Sequence, residues 1–257
     1  MKITRIVLIG AGNLATQLAL ALRHTEARIE MVWSLHATSA QTLGERIDAP
    51  WTTRLDNLPH DADLYLFAIK DDGLEGILRR MPYTGGIWAH TTGSVPMEIF
   101  APYTPSYGVF YPLQTFSKAR DVDFATIHHF IEGSTPAEAD ALQTLALQLS
   151  PHVVIANSAQ RSHLHLAAVF CCNFVNHLYH ISYRLLEDQQ LAGNALLPLI
   201  IETAEKLSTL HPKAAQTGPA VRHDHATMQT HLDRLSPPEL QALYQTLSNQ
   251  IMQYKDE

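Results

Sequence analysis

An α/β half built around a parallel sheet, followed by an all-α half, is the architecture this sequence predicts, and three observations predict it. Short apolar runs alternate with helical stretches over residues 1–156. A glycine turn, Gly10-Ala11-Gly12-Asn13-Leu14-Ala15, joins the apolar run Ile6-Val7-Leu8-Ile9 to a helix-like segment. Beyond Asn157 the pattern is helical throughout.

Each element follows from its residues. Ile6–Ile9 reads as the first strand and about 13–24 as the first helix. In that strand–turn–helix setting the G-x-G-x-x-A pattern has a physical meaning. Gly10 permits the tight turn, Gly12 lets the backbone approach a pyrophosphate, and Ala15 keeps helix and strand close. The amides around Asn13 and Leu14 would then face a diphosphate, where the helix dipole favours negative charge. Ile29–Trp33 is the second strand, which puts Ser34 at its C-terminal end. NAD sites place an acid there for the ribose 2′-hydroxyl, and Glu30 comes too early in the strand for that task. Ser34, His36, Thr38 and Ser39 suit a 2′-phosphate better, so NADP is favoured over NAD although the customary arginine is missing. A solvated loop that binds nothing is the alternative. Leu64–Ile69 is a buried strand ending at Lys70-Asp71-Asp72, and Gly86–His90 is a strand followed by Thr91-Thr92-Gly93-Ser94. Ligands bind at the carboxyl edge of such sheets, which places Lys70 and Thr91 in a cofactor crevice. Further strands are expected at 107–111, 128–132 and 152–156. The dinucleotide-binding domain is therefore 1–156 and the helical domain 157–257.

In the second half, 159–188 lacks Gly and Pro and reads as one helix about 45 Å long. Its middle, Leu166–Cys172, is apolar on nearly every face and calls for cover by other helices or a second subunit. Helices follow at about 194–210, 223–234 and 237–253, the last announced by Ser236-Pro237-Pro238-Glu239.

Composition is that of a globular protein: 257 residues, 46% hydrophobic and 17% charged. The formal net charge of −7 argues against a nucleic-acid surface. No run reaches the ~18 apolar residues of a membrane span, and the glycine turn interrupts any signal-peptide core. Two adjacent cysteines, Cys171 and Cys172, are unsuited to a mutual disulfide and read as buried packing residues in a reducing compartment, consistent with a cytoplasmic protein. The fifteen histidines lack the spacing of a zinc signature, so no metal is expected.

Hydride transfer needs a nicotinamide, a substrate against its face and a proton donor or acceptor. His90, at the end of a strand, is the first candidate donor; the alternative is that it bonds a loop and only shapes the pocket. His165 and Asn173 lie close to one face of the long helix. Asn173 stands in apolar surroundings, so it either meets a ligand or bonds a neighbouring helix or subunit. Arg161 near the helix start and Arg222 in the turn Thr217–Asp224 suit an anionic substrate group. An internal carboxylate is the alternative partner for Arg222, and Asp224 is placed to cap the next helix.

The chain resembles bacterial proteins in which a Rossmann-like domain precedes a domain of unknown function, DUF2520. The resemblance rests on Gly10–Ala15, His90–Ser94, Gly108–Phe116, Asn157–Arg161, His165–Asn173 and Thr217–Arg222, and covers essentially the whole chain. It implies an NADP-binding domain plus a helical domain like the C-terminal part of 6-phosphogluconate dehydrogenase, in a homodimer. Wider relatives include coenzyme-F420-dependent NADP oxidoreductases and pyrroline-5-carboxylate reductases, so the resemblance adds F420 as an alternative hydride partner. Hydroxyacid dehydrogenases of the superfamily use a lysine on the first long helix of the second domain. This chain has none between Lys118 and Lys206. An imine or F420-type reduction therefore fits better than hydroxyacid oxidation. The expected activity is NADP-dependent hydride transfer to or from a small, anionic or neutral substrate at the interdomain cleft. A dinucleotide-binding sensor or scaffold without turnover is the rival class.

Overall fold

In the computed structural model, which describes residues 1–256, the apolar run of the first strand is divided between the two faces of a sheet. Strand β1 (Arg5–Ile9) sends Ile6 and Leu8 into one core and Val7 and Ile9 into the other. This is the two-residue period of a strand covered on both sides. It is followed by α1 (Asn13–Leu22), β2 (Arg28–Trp33), α2 (Ala37–Ile47), a two-residue β3 (Trp51–Thr52) and β4 (Leu64–Phe67). Next come α3 (Asp71–Leu78), β5 (Ile87–His90), β6 (Tyr107–Pro112), β7 (His129–Gly133), α4 (Pro136–Leu147), β8 (Val153–Ile155) and α5 (Ser158–Ala168). The same alternation recurs in β4 and β5. Leu64, Leu66, Ile87 and Ala89 join Leu18, Phe110 and Leu142, whereas Tyr65, Phe67 and Trp88 join Leu74, Leu78 and Phe100.

The sheet has eight strands in the order β3-β2-β1-β4-β5-β6-β7-β8. All neighbours are parallel except β6 and β7, whose antiparallel register pairs Val109 with Glu132 and Pro112 with His129. This corrects the expectation of a parallel sheet throughout. A parallel crossover needs a long connection, usually a helix. The segment 113–128 carries no α-helix, only the 3₁₀ turn Phe124–Thr126 and an isolated bridge between Ser117 and Arg120, so β7 returns beside β6 instead. Thr135 then caps α4 by accepting from the Ala137 amide, and β8 resumes parallel to β7.

The chain divides into two compact units, Met1–Asn176 and a second from His177 onward, twenty residues later than the expected division at 156/157. The reason is that α5 is bonded to the sheet. Arg161 on α5 pairs with Glu132 on β7, and His165 meets Tyr111 on β6. The long helix is continuous but not uniform. A π-helical turn, Val169–Phe174, separates α5 from α6 (Val175–Glu187). Leu166, Phe170 and Phe174 are 56%, 62% and 51% exposed, and Cys171 is exposed with Cys172 half-buried, which corrects the expectation of buried cysteines.

The second unit contains α7 (Leu197–Glu205), α8 (Pro212–Ala215), α9 (His225–Arg234) and α10 (Pro238–Asp256). Asp224 caps α9 through the Thr227 amide at 3.1 Å, as its position suggested. α9 and α10 are joined by His231 Nδ1 to Tyr244 Oη at 2.8 Å and by Gln241, which donates to the carbonyls of Leu232 and Leu235. Among the described residues of this unit, only Ala220, Met228 and Ser248 are buried. No helix among the described residues is long and apolar enough to cross a membrane.

Candidate functional site

A groove of about 1090 Å³ runs along the carboxyl edge of the sheet in the first unit. The glycine turn forms one wall. Gly10 has φ +125°, and a Cβ there would lie 2.2 Å from the Ala68 carbonyl oxygen. Gly12 is the N-cap of α1, and a Cβ there would meet nothing within 4 Å, so its face is open to a ligand. No side chain caps α1 and no acid lies in its first turn, which leaves its amide donors suited to an anion. Two alanine substitutions separate these roles. Gly10→Ala is expected to lower the unfolding free energy by about 2–3 kcal/mol, through clash and positive φ, whereas Gly12→Ala should stay within about 1 kcal/mol of the parent. Urea denaturation of both variants checks this, and equal losses would contradict it.

The second wall follows β2. Ser34, His36 and Ser39 line the groove, and α2 also starts without a side-chain cap or an early acid. Glu30, at the far end of the strand, is paired to Arg28 at 2.8 Å. No carboxylate therefore opposes a 2′-phosphate from the end of β2. Lys118 lines the groove from a loop held by α1, where the buried Gln17 amide donates to the carbonyls of Ser117 and Arg120 at 2.7 and 2.9 Å. Lys70 and Arg80 add two further cations.

The remaining wall is Thr91-Thr92-Gly93 after β5, with Tyr111 at the end of β6 and His165 from α5. Thr91 is pinned to the Phe67 carbonyl by its amide and hydroxyl. Ser94 bonds the Asp71 carboxylate at the start of α3. Tyr111 Oη and His165 Nδ1 are 3.1 Å apart. A Cβ at Gly93 would lie 2.6 Å from the His165 ring, so only glycine lets α5 come this near.

All nine residues expected at the cofactor, Gly10, Gly12, Asn13, Leu14, Ser34, His36, Ser39, Lys70 and Thr91, line this one groove. Of the three catalytic candidates, only His165 does. His90 is fully buried, two residues after Trp88 on the same aromatic face, with its ring 5.6 Å from Phe100. Its Nδ1 accepts the Thr92 amide, and its Nε2 has no partner. Burial first, and then the charge of Arg161, push its pKa down to about 3. It is a neutral core group that shapes the loop, not a proton donor to a ligand. Asn173 is exposed in the π-helical turn and outside the groove. Arg161 is also corrected: it is 1% exposed and committed to Glu132 at 2.5 Å, so no substrate anion reaches it. Arg222 is exposed in a 3₁₀ turn of the second unit, near enough to Asp224 to hold that carboxyl below its usual range after the Thr227 bonds.

Tyr111, Asp71, Arg80 and Lys118 were not singled out by the sequence. Tyr111 had a signal: it sits just before Pro112 at a strand's carboxyl end, beside the loops already assigned to the crevice. Lys118 had none, because Gln17, far away in sequence, positions its loop. No group of three metal-ligating side chains occurs among the described residues.

Comparison with known proteins fits this geometry. A Rossmann-like domain family matches residues 2–114, and the family described as Domain of unknown function (DUF2520) matches 127–251. The Bacteroides fragilis protein BF3122, named as a proposed NADP oxidoreductase, is 46% identical over 98% of both chains, with a TM-score of 0.91. The chain belongs to the Rossmann-like/DUF2520 family. More distant structures share the DUF2520-family fold. The Thermotoga maritima protein TM1727 is 19% identical over 98% of both chains with a TM-score of 0.73. An imine reductase from Myxococcus stipitatus in complex with NADP⁺ is 14% identical over 97% of this chain and 92% of its own, with a TM-score of 0.64. No curated protein matches the sequence.

Proposed function

We propose that the protein is an NADP-dependent oxidoreductase acting on a small carbonyl or imine substrate. The observation that carries this reading is the single groove that joins the open Gly12 face to the Tyr111–His165 pair. The residues present fit a nicotinamide dinucleotide. The α1 amides would hold the pyrophosphate, Ser34, His36 and Ser39 the 2′-phosphate, and Thr91–Gly93 the nicotinamide end. When bound, that cofactor supplies or accepts a hydride. The chain's own contribution is to orient the substrate beside Gly93 and to hold a proton at His165 or Tyr111. NAD is the weaker ligand in this reading, and F420 remains a hydride partner to be tested.

We further assign a cytoplasmic homodimer. Support for the dimer comes from the exposed stripe Leu166, Phe170 and Phe174, and from a second unit with so few buried residues. The lack of any lysine between Lys118 and Lys206 favours a second reading, a dinucleotide sensor without turnover.

Titration with NADPH, NADH and reduced F420 tests the proposal. Trp33 lines the groove and reports binding by its fluorescence. Micromolar NADPH affinity, at least about tenfold weaker NADH and a clear loss in Gly12→Ala are expected. Consumption of NADPH with a panel of imines and carbonyl compounds separates enzyme from sensor. No binding of any dinucleotide would overturn both readings.

A further inference from the structure

Tyr111 reaches the groove from the sheet, and His165 from α5, so two independent elements converge on one hydrogen bond. Tyr111 is 9% exposed, and its hydroxyl has one hydrogen-bond partner, His165 Nδ1. The bond is braced from both sides. Gly93 leaves no room for the imidazole to retreat toward the loop, and Arg161, one helical turn before His165, locks α5 to Glu132 and to the Val95 carbonyl. A phenol so placed beside an imidazole can exchange a proton with it without either side chain moving.

We infer that Tyr111 is the group that gives the substrate heteroatom its proton, and that His165 replenishes it. This rests on the oxidoreductase reading above and names the acid within it. In the reductive direction the substrate carbon takes a hydride from a reduced nicotinamide, and the C=N or C=O π pair moves to the heteroatom. That atom forms a bond to the Tyr111 hydroxyl proton as the O–H bond breaks. The phenolate then takes the Nδ1 proton of His165 as the other ring nitrogen takes one from water, so the ring stays neutral and hydroxide leaves to solvent. Oxidation runs the same transfers backward. Burial chiefly raises the Tyr111 pKa, with Arg161 opposing and Asp71 reinforcing, so the phenol enters the cycle protonated at neutral pH.

The test uses the full chain saturated with NADPH. Imidazole ¹⁵N spectra, with His165 assigned from His165→Gln, should show the His165 Nδ1 resonance moving in Tyr111→Phe. With a cyclic imine and an α-keto acid as probes, Tyr111→Phe should lower kcat by about 10²–10⁴-fold, and the NADPH Kd should stay within about twofold. An unmoved Nδ1 resonance overturns the inference, as does a kcat within about threefold of the parent. Failure of NADPH to bind would instead remove the oxidoreductase reading itself, so the two failures are distinguishable.

Discussion

Arg161→Ala should cost about 3–5 kcal/mol of unfolding free energy, the loss typical of breaking one side of a buried ion pair. The guanidinium donates to Glu132 Oε2 and to the Val95 carbonyl at 2.5 Å each, and to Ser158 Oγ at 3.2 Å. Glu132 in turn accepts the Ser158 amide and hydroxyl at 2.8 Å. The two side chains are 1% and 11% exposed, so removing the arginine strands a carboxylate with little water to solvate it. Replacing both partners by apolar residues, Arg161→Met with Glu132→Leu, should restore most of the loss. Urea denaturation of the single and double variants measures this. A single-variant loss below about 1 kcal/mol would show that the pair is solvated after all.

Acidification should weaken the fold by about 4 kcal/mol between neutral pH and pH 5, from two buried histidines alone. His90 is held at a pKa of about 3 by burial and then by Arg161, with the Pro96 backbone carbonyl opposing. His129 is held at about 4 by burial first, with the Ile127 bond opposing and His128 reinforcing. Both pKa values lie below those of the unfolded chain, so unfolding takes up protons. The stability from keeping these rings neutral is complete above about pH 6.5 and disappears as pH falls toward 3–4. Each contributes about 2 kcal/mol of the loss by pH 5. His90→Gln and His129→Gln should each flatten the slope of stability against pH, whatever they do to its height. Curves parallel to the parent's would contradict the assignment.

The outcome for His90 shows where the sequence was legible. The G-x-G-x-x-A turn is local, and its neighbours across the groove sit at the ends of strands whose apolar runs are plain. The residues that line the groove could therefore be placed without a structure. Strand alternation also held the answer for His90: a residue two after Trp88 shares its face, and that face is core. Arg161 depends on a pairing with the sheet that no local pattern encodes. Arg161 meets Glu132 only because β7 turns back beside β6, and a segment of coil gives no sign of that reversal. The π-helical turn was equally hidden, since Val169–Phe174 has the composition of an ordinary apolar helix.

The clamp on α5 also makes that helix a ruler. Arg161 fixes its zero mark against the sheet, and His165 stands four residues along, about 6 Å further up the axis. Inserting or deleting one residue between them would swing the imidazole by about 100° around the helix and shift it about 1.5 Å along, while the ion pair and every contact below it stayed intact. The spacing of four, rather than the identity of the residues between, is the dimension on which the Tyr111 contact depends. Substitutions at 162–164 should be tolerated where changes of length are not.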